Sequence, residues 1–205
     1  MGLRQGDSGP SVDRSAAPWS AVAIVAALVV VIGLAGDATA DRLAFERTGI
    51  AAGEYWRLLS AHFVHLGHLH LLLNLGGLLL IAYLVGTALT RAEWLLALFF
   101  ACITISVGLW VLQPDLERYV GLSGALHALL AAGLVATIGR WQLDLWIVAS
   151  ALAAKLLLEQ LVGPLPVSES ISGGNVIVDA HLYGAISGCI SGGSIAIRVR
   201  TQASI

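Results

Sequence analysis

Polar and apolar positions along this chain do not alternate at short period; they fall into long apolar blocks joined by short polar stretches. Six blocks stand out: Ser20–Gly36, Leu66–Leu89, Trp94–Leu112, Gly121–Gly139, Leu143–Gly163 and Asn175–Val199. Each supplies roughly 17–25 residues, which at ~1.5 Å rise covers a hydrocarbon core ~30 Å thick. In lipid no water satisfies exposed backbone groups, so such blocks are expected to be helices. The expected fold is therefore all-α, a bundle of six transmembrane helices. It would form one domain over residues 18–200, between a disordered tail at 1–17 and a short tail at 201–205.

Composition strengthens this picture. The 205 residues are 58% hydrophobic and only 12% charged, too few charges to cover a soluble domain. A net charge of −2 removes the nucleic-acid-binding class. Cys102 and Cys189 fall inside apolar blocks and read as small packing residues, not as a disulfide or a metal site. Blocks four and six are rich in Gly, Ala and Ser, and Gly184, Gly188 and Gly192 repeat at four-residue spacing. Such stripes let helix backbones approach closely.

Charge also suggests an orientation. With the N-terminus inside, Arg4, Arg14, Arg91, Arg140, Arg198 and Arg200 are cytoplasmic, while Arg42, Arg47, Arg57 and Arg118 lie outside. The Arg in each short loop at 90–93 and 139–142 agrees with an N-in, C-in topology. Ala38-Thr39-Ala40 imitates a signal-peptidase site. The apolar block before it exceeds a secretory core of about 7–15 residues, so the first helix is expected to be retained.

Ionisable and strongly polar groups inside a membrane are expensive and are functional candidates by default. Here they are His70, Asn74, Ser123, His127, Lys155, Glu159, Asp179 and His181. In the expected topology, His70, Asn74, Ser123 and His181 lie near the outer starts of their helices, and Glu159 lies near the outer end of its own. All of these share one depth. Gly121-Leu122-Ser123-Gly124 places a serine at a glycine-flanked helix start, where unpaired N–H groups suit a developing oxyanion. A serine hydroxyl needs a base, and His181 is the candidate. His70 and Asn74, four apart, share a helix face, and both can donate to an oxyanion.

Competing readings attach to the other residues. His62, His65, His68 and His70 invite a metal or haem reading, but no matching carboxylate or Cys set accompanies them; structural hydrogen bonding fits His62, His65 and His68 better. Lys155 and Glu159, spaced i,i+4, read as an intrahelical ion pair that lessens the penalty of burial. The alternatives are contact with a substrate tail or an incoming nucleophile, or, for Glu159 as for His127 and His65, an orienting role at the site. Asp179 points to another helix face than His181 and belongs to an interface, not to the site.

Together these residues resemble the rhomboid intramembrane proteases. Trp56-Arg57, His65 and His70-x3-Asn74 resemble the first loop and second helix of that family. Gly121-x-Ser123-Gly124 resembles its nucleophile motif, and Ala180-His181-x2-Gly184-x3-Gly188 its sixth-helix motif. The resemblance implies Ser123 as nucleophile, His181 as general base, and His70, Asn74 and the Ser123 N–H as oxyanion donors. It implies that His65 holds the first loop and nearby water, that Trp56-Arg57 is structural, and that the pair acts as a dyad without a third carboxylate. It implies no cofactor.

Two departures narrow the resemblance. His127 stands where rhomboids carry a Tyr that packs on the catalytic His. Gly121-Leu-Ser-Gly-x-Leu-His127, Asn175-Val-Ile-Val-Asp-Ala-His181 and Lys155-x3-Glu159-Gln160 look like the rhombosortase branch. That branch implies substrates with a C-terminal Gly-Gly-type sorting tail carrying a transmembrane helix, and possible acyl transfer to an amine-bearing lipid head group. It implies a bacterial inner membrane, with the site facing the periplasm. An ordinary rhomboid protease hydrolysing single-span proteins is the alternative. A non-catalytic membrane binder or transporter is the reading from another class; the Ser–His pair, and the lack of an inverted repeat with broken helices, argue against it.

Overall fold

A computed structural model describes residues 17–139, 142–164, 169 and 174–203. Each apolar block contains a helix: α1 (Ala17–Leu34), α5 (His68–Val85), α6 (Arg91–Leu112), α7 (Ser123–Ala136), α8 (Leu143–Val162) and α9 (Val178–Ala203). Four of them, those built on α5, α6, α8 and α9, are long and apolar enough to cross a membrane. The expected tail at 1–17 lies outside the described residues apart from Ala17, which begins α1.

The fourth block falls short of its expected span. Helix α7 has 14 residues, about 21 Å at ~1.5 Å per residue. It closes where the Thr137 hydroxyl turns back onto the carbonyls of Gly133 and Leu134. Its buried face carries Gly124, Ala125, Ala128, Ala131 and Ala132, so neighbouring backbones can come close.

Helix α9 takes that place. A Cβ built on Gly184, Gly188 or Gly192 would fall on the carbonyl oxygen of Gly124, Ala128 or Ala132 in turn. The four-residue stripe on α9 thus runs in register along α7, one contact per turn. Gly124 answers from the other side, where a Cβ would lie 2.7 Å from the Ala180 carbonyl oxygen. Only glycine permits this seam.

The joint between α1 and α5 is more structured than a short loop. It holds α2 (Asp37–Leu43), β1 (Phe45–Glu46), α3 (Arg47–Ala51), α4 (Arg57–Ser60) and a 3₁₀ turn at Ala61–Phe63. Strand β1 pairs antiparallel with β2 (Arg118–Tyr119), Phe45 opposite Tyr119, so the all-α expectation misses one short ribbon. The Ala38-Thr39-Ala40 string lies within α2.

Two arginines, Arg57 buried and Arg47 half-buried, fasten this joint. The Arg47 guanidinium donates to the carbonyls of Leu109, Trp110, Gln113 and Leu116, satisfying the end of α6. Arg57 donates to the Asp41 and Ala44 carbonyls and to Glu54, and the Trp56 indole donates to the Arg42 carbonyl. Trp56-Arg57 is thus held by structural hydrogen bonds in this joint. At the other end of α6, Thr90 and Glu93 form a capping box, and Glu93 also pairs with Arg198 of α9. Cys102 is fully buried, as expected, whereas Cys189 is exposed.

Candidate active site

The glycine seam sets the position of two side chains next to it. Ser123 precedes Gly124 and His181 follows Ala180, so the close approach of those backbones brings hydroxyl and imidazole together. Ser123 Oγ lies 3.0 Å from His181 Nε2. Residues 58 apart in sequence meet at hydrogen-bond distance. Ser123 is half-buried and His181 is buried.

The segment before Ser123 is held on both sides. Gly121 has φ +124°, a conformation that disfavours any side chain. Its N–H donates to the Ala61 carbonyl, and its carbonyl accepts from the buried Tyr119 hydroxyl. A Cβ there would press the His70 ring at 3.1 Å. Helix α7 therefore begins at Ser123, with first-turn N–H groups that lack intrahelical partners.

A cavity of about 260 Å³ opens over this point, lined by Leu66, His70, Tyr119, Ser123, Asn175 and Ile177, among others. His70 thus shares a wall with the serine. Asn74 is buried one turn further on, and its side-chain nitrogen donates to the His70 carbonyl at 2.9 Å. One N–H of that amide remains for another acceptor. His65 lines a different cavity and meets the site only through His70, ring edge to ring face at 4.9 Å.

His127, one turn below the serine, stacks on His181 with centroids 4.3 Å apart and planes 17° apart. Its Nδ1 donates to the Ser123 carbonyl at 2.7 Å. It thereby fills, with another ring, the packing place expected of a Tyr.

Where a pair without a third carboxylate was expected, a carboxylate lies beside the imidazole. Glu159 of α8 places Oε2 2.9 Å from His181 Nδ1, and its other oxygen takes Lys155 Nζ at 2.6 Å. The i,i+4 ion pair is present as expected, but it supplies only half of the carboxylate's contacts. The missing signal was long-range: helical spacing reports neighbours on one helix, and His181 lies on another. Asp179 accepts from Gln113 at 2.8 Å and stays outside the site, as expected.

The four loop histidines do not converge. His62 is buried, with Nε2 2.9 Å from both the Cys102 carbonyl and Ser106 Oγ; His68 is exposed at the start of α5. Among the described residues, the group with metal-type donors in mutual reach is His127, Glu159 and His181. Its Nδ1 atoms are already engaged, by the Ser123 carbonyl and by Glu159, and the Lys155 ammonium holds the carboxylate. Chemically, the cluster offers a hydroxyl on an imidazole acceptor, beside a helix N-terminus and a small cavity.

Residues 52–197 match the Rhomboid domain family. A protein of Bacillus subtilis (strain 168) named "Putative rhomboid protease YdcA" is similar, with 30% identity over 140 residues, 68% of this chain and 67% of that protein.

Proposed function

The chain belongs to the rhomboid family of intramembrane serine proteases, multi-pass proteins that act on membrane-protein substrates, and on that premise we propose that Ser123 and His181 are its nucleophile and general base. The observation that carries this reading is the 3.0 Å contact between Ser123 Oγ and His181 Nε2. The Ser123 proton passes to Nε2 as Oγ bonds to the substrate carbonyl carbon. Backbone N–H groups at the start of α7, with His70 and Asn74, receive the oxyanion. When the tetrahedral adduct collapses, the C–N bond breaks and the leaving amine takes the proton from Nε2. Water or an amine then resolves the acyl-enzyme, with His181 again as base.

The finer reading is the rhombosortase type. The domain spans residues 18–200, with six spans, N-in and C-in, in a bacterial inner membrane and with the site toward the periplasm. Its substrates carry a C-terminal Gly-Gly-type sorting tail. One feature supports this: His127 stands in place of a Tyr against His181. The ordinary rhomboid reading, hydrolysis of single-span proteins, is equally consistent with the likeness to a putative rhomboid protease.

Ser123→Ala tests the core of the proposal. Processing of a sorting-tail substrate should cease while the protein still accumulates in the membrane; undiminished cleavage would refute it. Mass spectrometry of the product's new C-terminus separates the finer readings. A head-group adduct marks transfer, and a free carboxylate marks hydrolysis.

A further inference from the structure

We propose that Glu159 is a positioning residue that makes this centre a Ser–His–Glu triad, with Lys155 fixing the carboxylate. The inference rests on the Ser123–His181 reading and deepens it. Glu159 is the one buried residue of α8, at 2% exposure, on a helix whose other side chains stay at least partly open to the surroundings. A buried carboxylate needs partners, and both of its oxygens have one: Oε2 on His181 Nδ1 at 2.9 Å, Oε1 on Lys155 Nζ at 2.6 Å. Lys155 Nζ also lies 3.4 Å from His181 Nδ1, so ammonium, carboxylate and imidazole form one compact group.

The consequence concerns where the proton on His181 sits. A carboxylate can only accept, so Nδ1 must carry the hydrogen and donate it to Glu159. Nε2 is then a free lone pair, aimed at the Ser123 hydroxyl, which is the form a general base requires. The His127 ring, stacked 4.3 Å away, limits tilting, and Glu159 limits rotation in the ring plane. During acylation the Ser123 proton moves to Nε2, Nδ1 keeps its own, and the cation so formed faces an ionised carboxylate. Glu159 never takes the proton.

Glu159→Gln keeps size and burial but replaces an acceptor with an amide that can set an N–H against Nδ1. The ring then favours the other tautomer, with Nε2–H facing Ser123 and unable to accept its proton. The expected result is a fall in kcat of about 10²- to 10⁴-fold with KM held within about threefold. The thermal midpoint of the purified protein should shift little, by contrast. A kcat near that of the unsubstituted protein would overturn the proposal. So would a loss confined to KM, which marks a substrate contact instead.

A second measurement needs no change at Glu159. In protein labelled with ¹⁵N-histidine, the signal absent from His181→Gln belongs to His181. It should show Nδ1 protonated and Nε2 unprotonated near neutral pH. The Nε2–H tautomer, which free imidazole side chains prefer, would overturn the proposal even if Glu159→Gln failed to fold.

A chelator arm separates positioning from metal binding by His127, Glu159 and His181. Turnover unchanged by EDTA is expected; loss that zinc restores would overturn the triad. Ser123→Ala keeps the two levels apart. If that variant is inactive while Glu159→Gln is near normal, only the triad fails. If Ser123→Ala still processes substrate, the underlying reading fails with it.

Discussion

Helices α7 and α8 both border the candidate site, yet they are attached to the protein in opposite ways. Helix α7 is wrapped: Ala125, Ala128, Leu129 and Ala132 are at most 1% exposed, and its backbone touches that of α9 along the glycine seam. Helix α8 is a peripheral wall, with Leu157, Leu158, Leu161 and Val162 turned outward at 50–82% exposure and Glu159 its single buried residue. One helix is placed by shape, the other by a charge. The contrast indicates how the labour divides. Close packing fixes the distance between serine and imidazole. The polar contact sets the orientation of the imidazole, on a helix with little apolar attachment to hold it closed. An element of low buried area opens at low free energy, so α8 is the wall best suited to yield to a substrate arriving from the lipid.

The largest effect should come from the seam. Gly188→Val would drive a branched side chain into the Ala128 carbonyl oxygen, a backbone atom that cannot step aside. A loss of about 4–5 kcal/mol or more is expected, in the range where stable protein no longer accumulates. The check is the yield of folded protein in detergent. A variant that folds and retains activity would mean that α7 and α9 are not in backbone contact.

Next comes Leu129→Ala, on the wrapped helix at 1% exposure. It removes a buried side chain and leaves a cavity, for an expected loss of about 2–5 kcal/mol. Denaturation midpoints in mixed micelles measure it. A loss under about 1 kcal/mol would place α7 among the loosely held elements and erase the contrast.

A third prediction concerns pH, through His62, which ties the joint between α1 and α5 to α6. Burial pushes its pKa down to about 4. In the unfolded chain the same imidazole titrates near ~6.5, so between these values the unfolded state binds a proton that the folded state refuses. Stability should therefore be level above about pH 7 and should fall as pH drops from about 6.5 toward 4, by up to about 3 kcal/mol. His62→Gln can still donate to Ser106 and should flatten that slope. An unchanged slope in the variant would show that other groups carry it.

How much of this was legible beforehand follows from the reach of each signal. Hydropathy located every long helix, because burial in lipid imposes one requirement along a whole segment. The four-residue glycine stripe announced a close helix contact, and the serine and histidine beside it announced their own meeting. The early end of α7 was hidden, because a lone Thr137 between Ala136 and Ile138 does not interrupt the apolar run. Arg47 looked like a loop charge, since nothing in local spacing shows that four carbonyls at and just past the end of α6 converge on it. Glu159 was half read: its i,i+4 lysine was visible, and its partner on another helix was not.

The smallest effect is expected on the outward face of α8, where Leu158 is 50% exposed one position from Glu159. Leu158→Ala removes apolar area that faces lipid in either state, creates no cavity, and keeps a strong helix former. Stability should change by no more than about 0.5 kcal/mol. The comparison with Leu129→Ala is the informative one: two Leu→Ala changes on helices that border the same site, one costly and one nearly silent. Thermal midpoints of both variants in the same detergent read the difference. If Leu158→Ala instead destabilises as much as Leu129→Ala, then something outside this chain, such as a second copy, covers α8. A covered α8 could not serve as the yielding wall, and substrate would have to reach Ser123 by another side of the bundle.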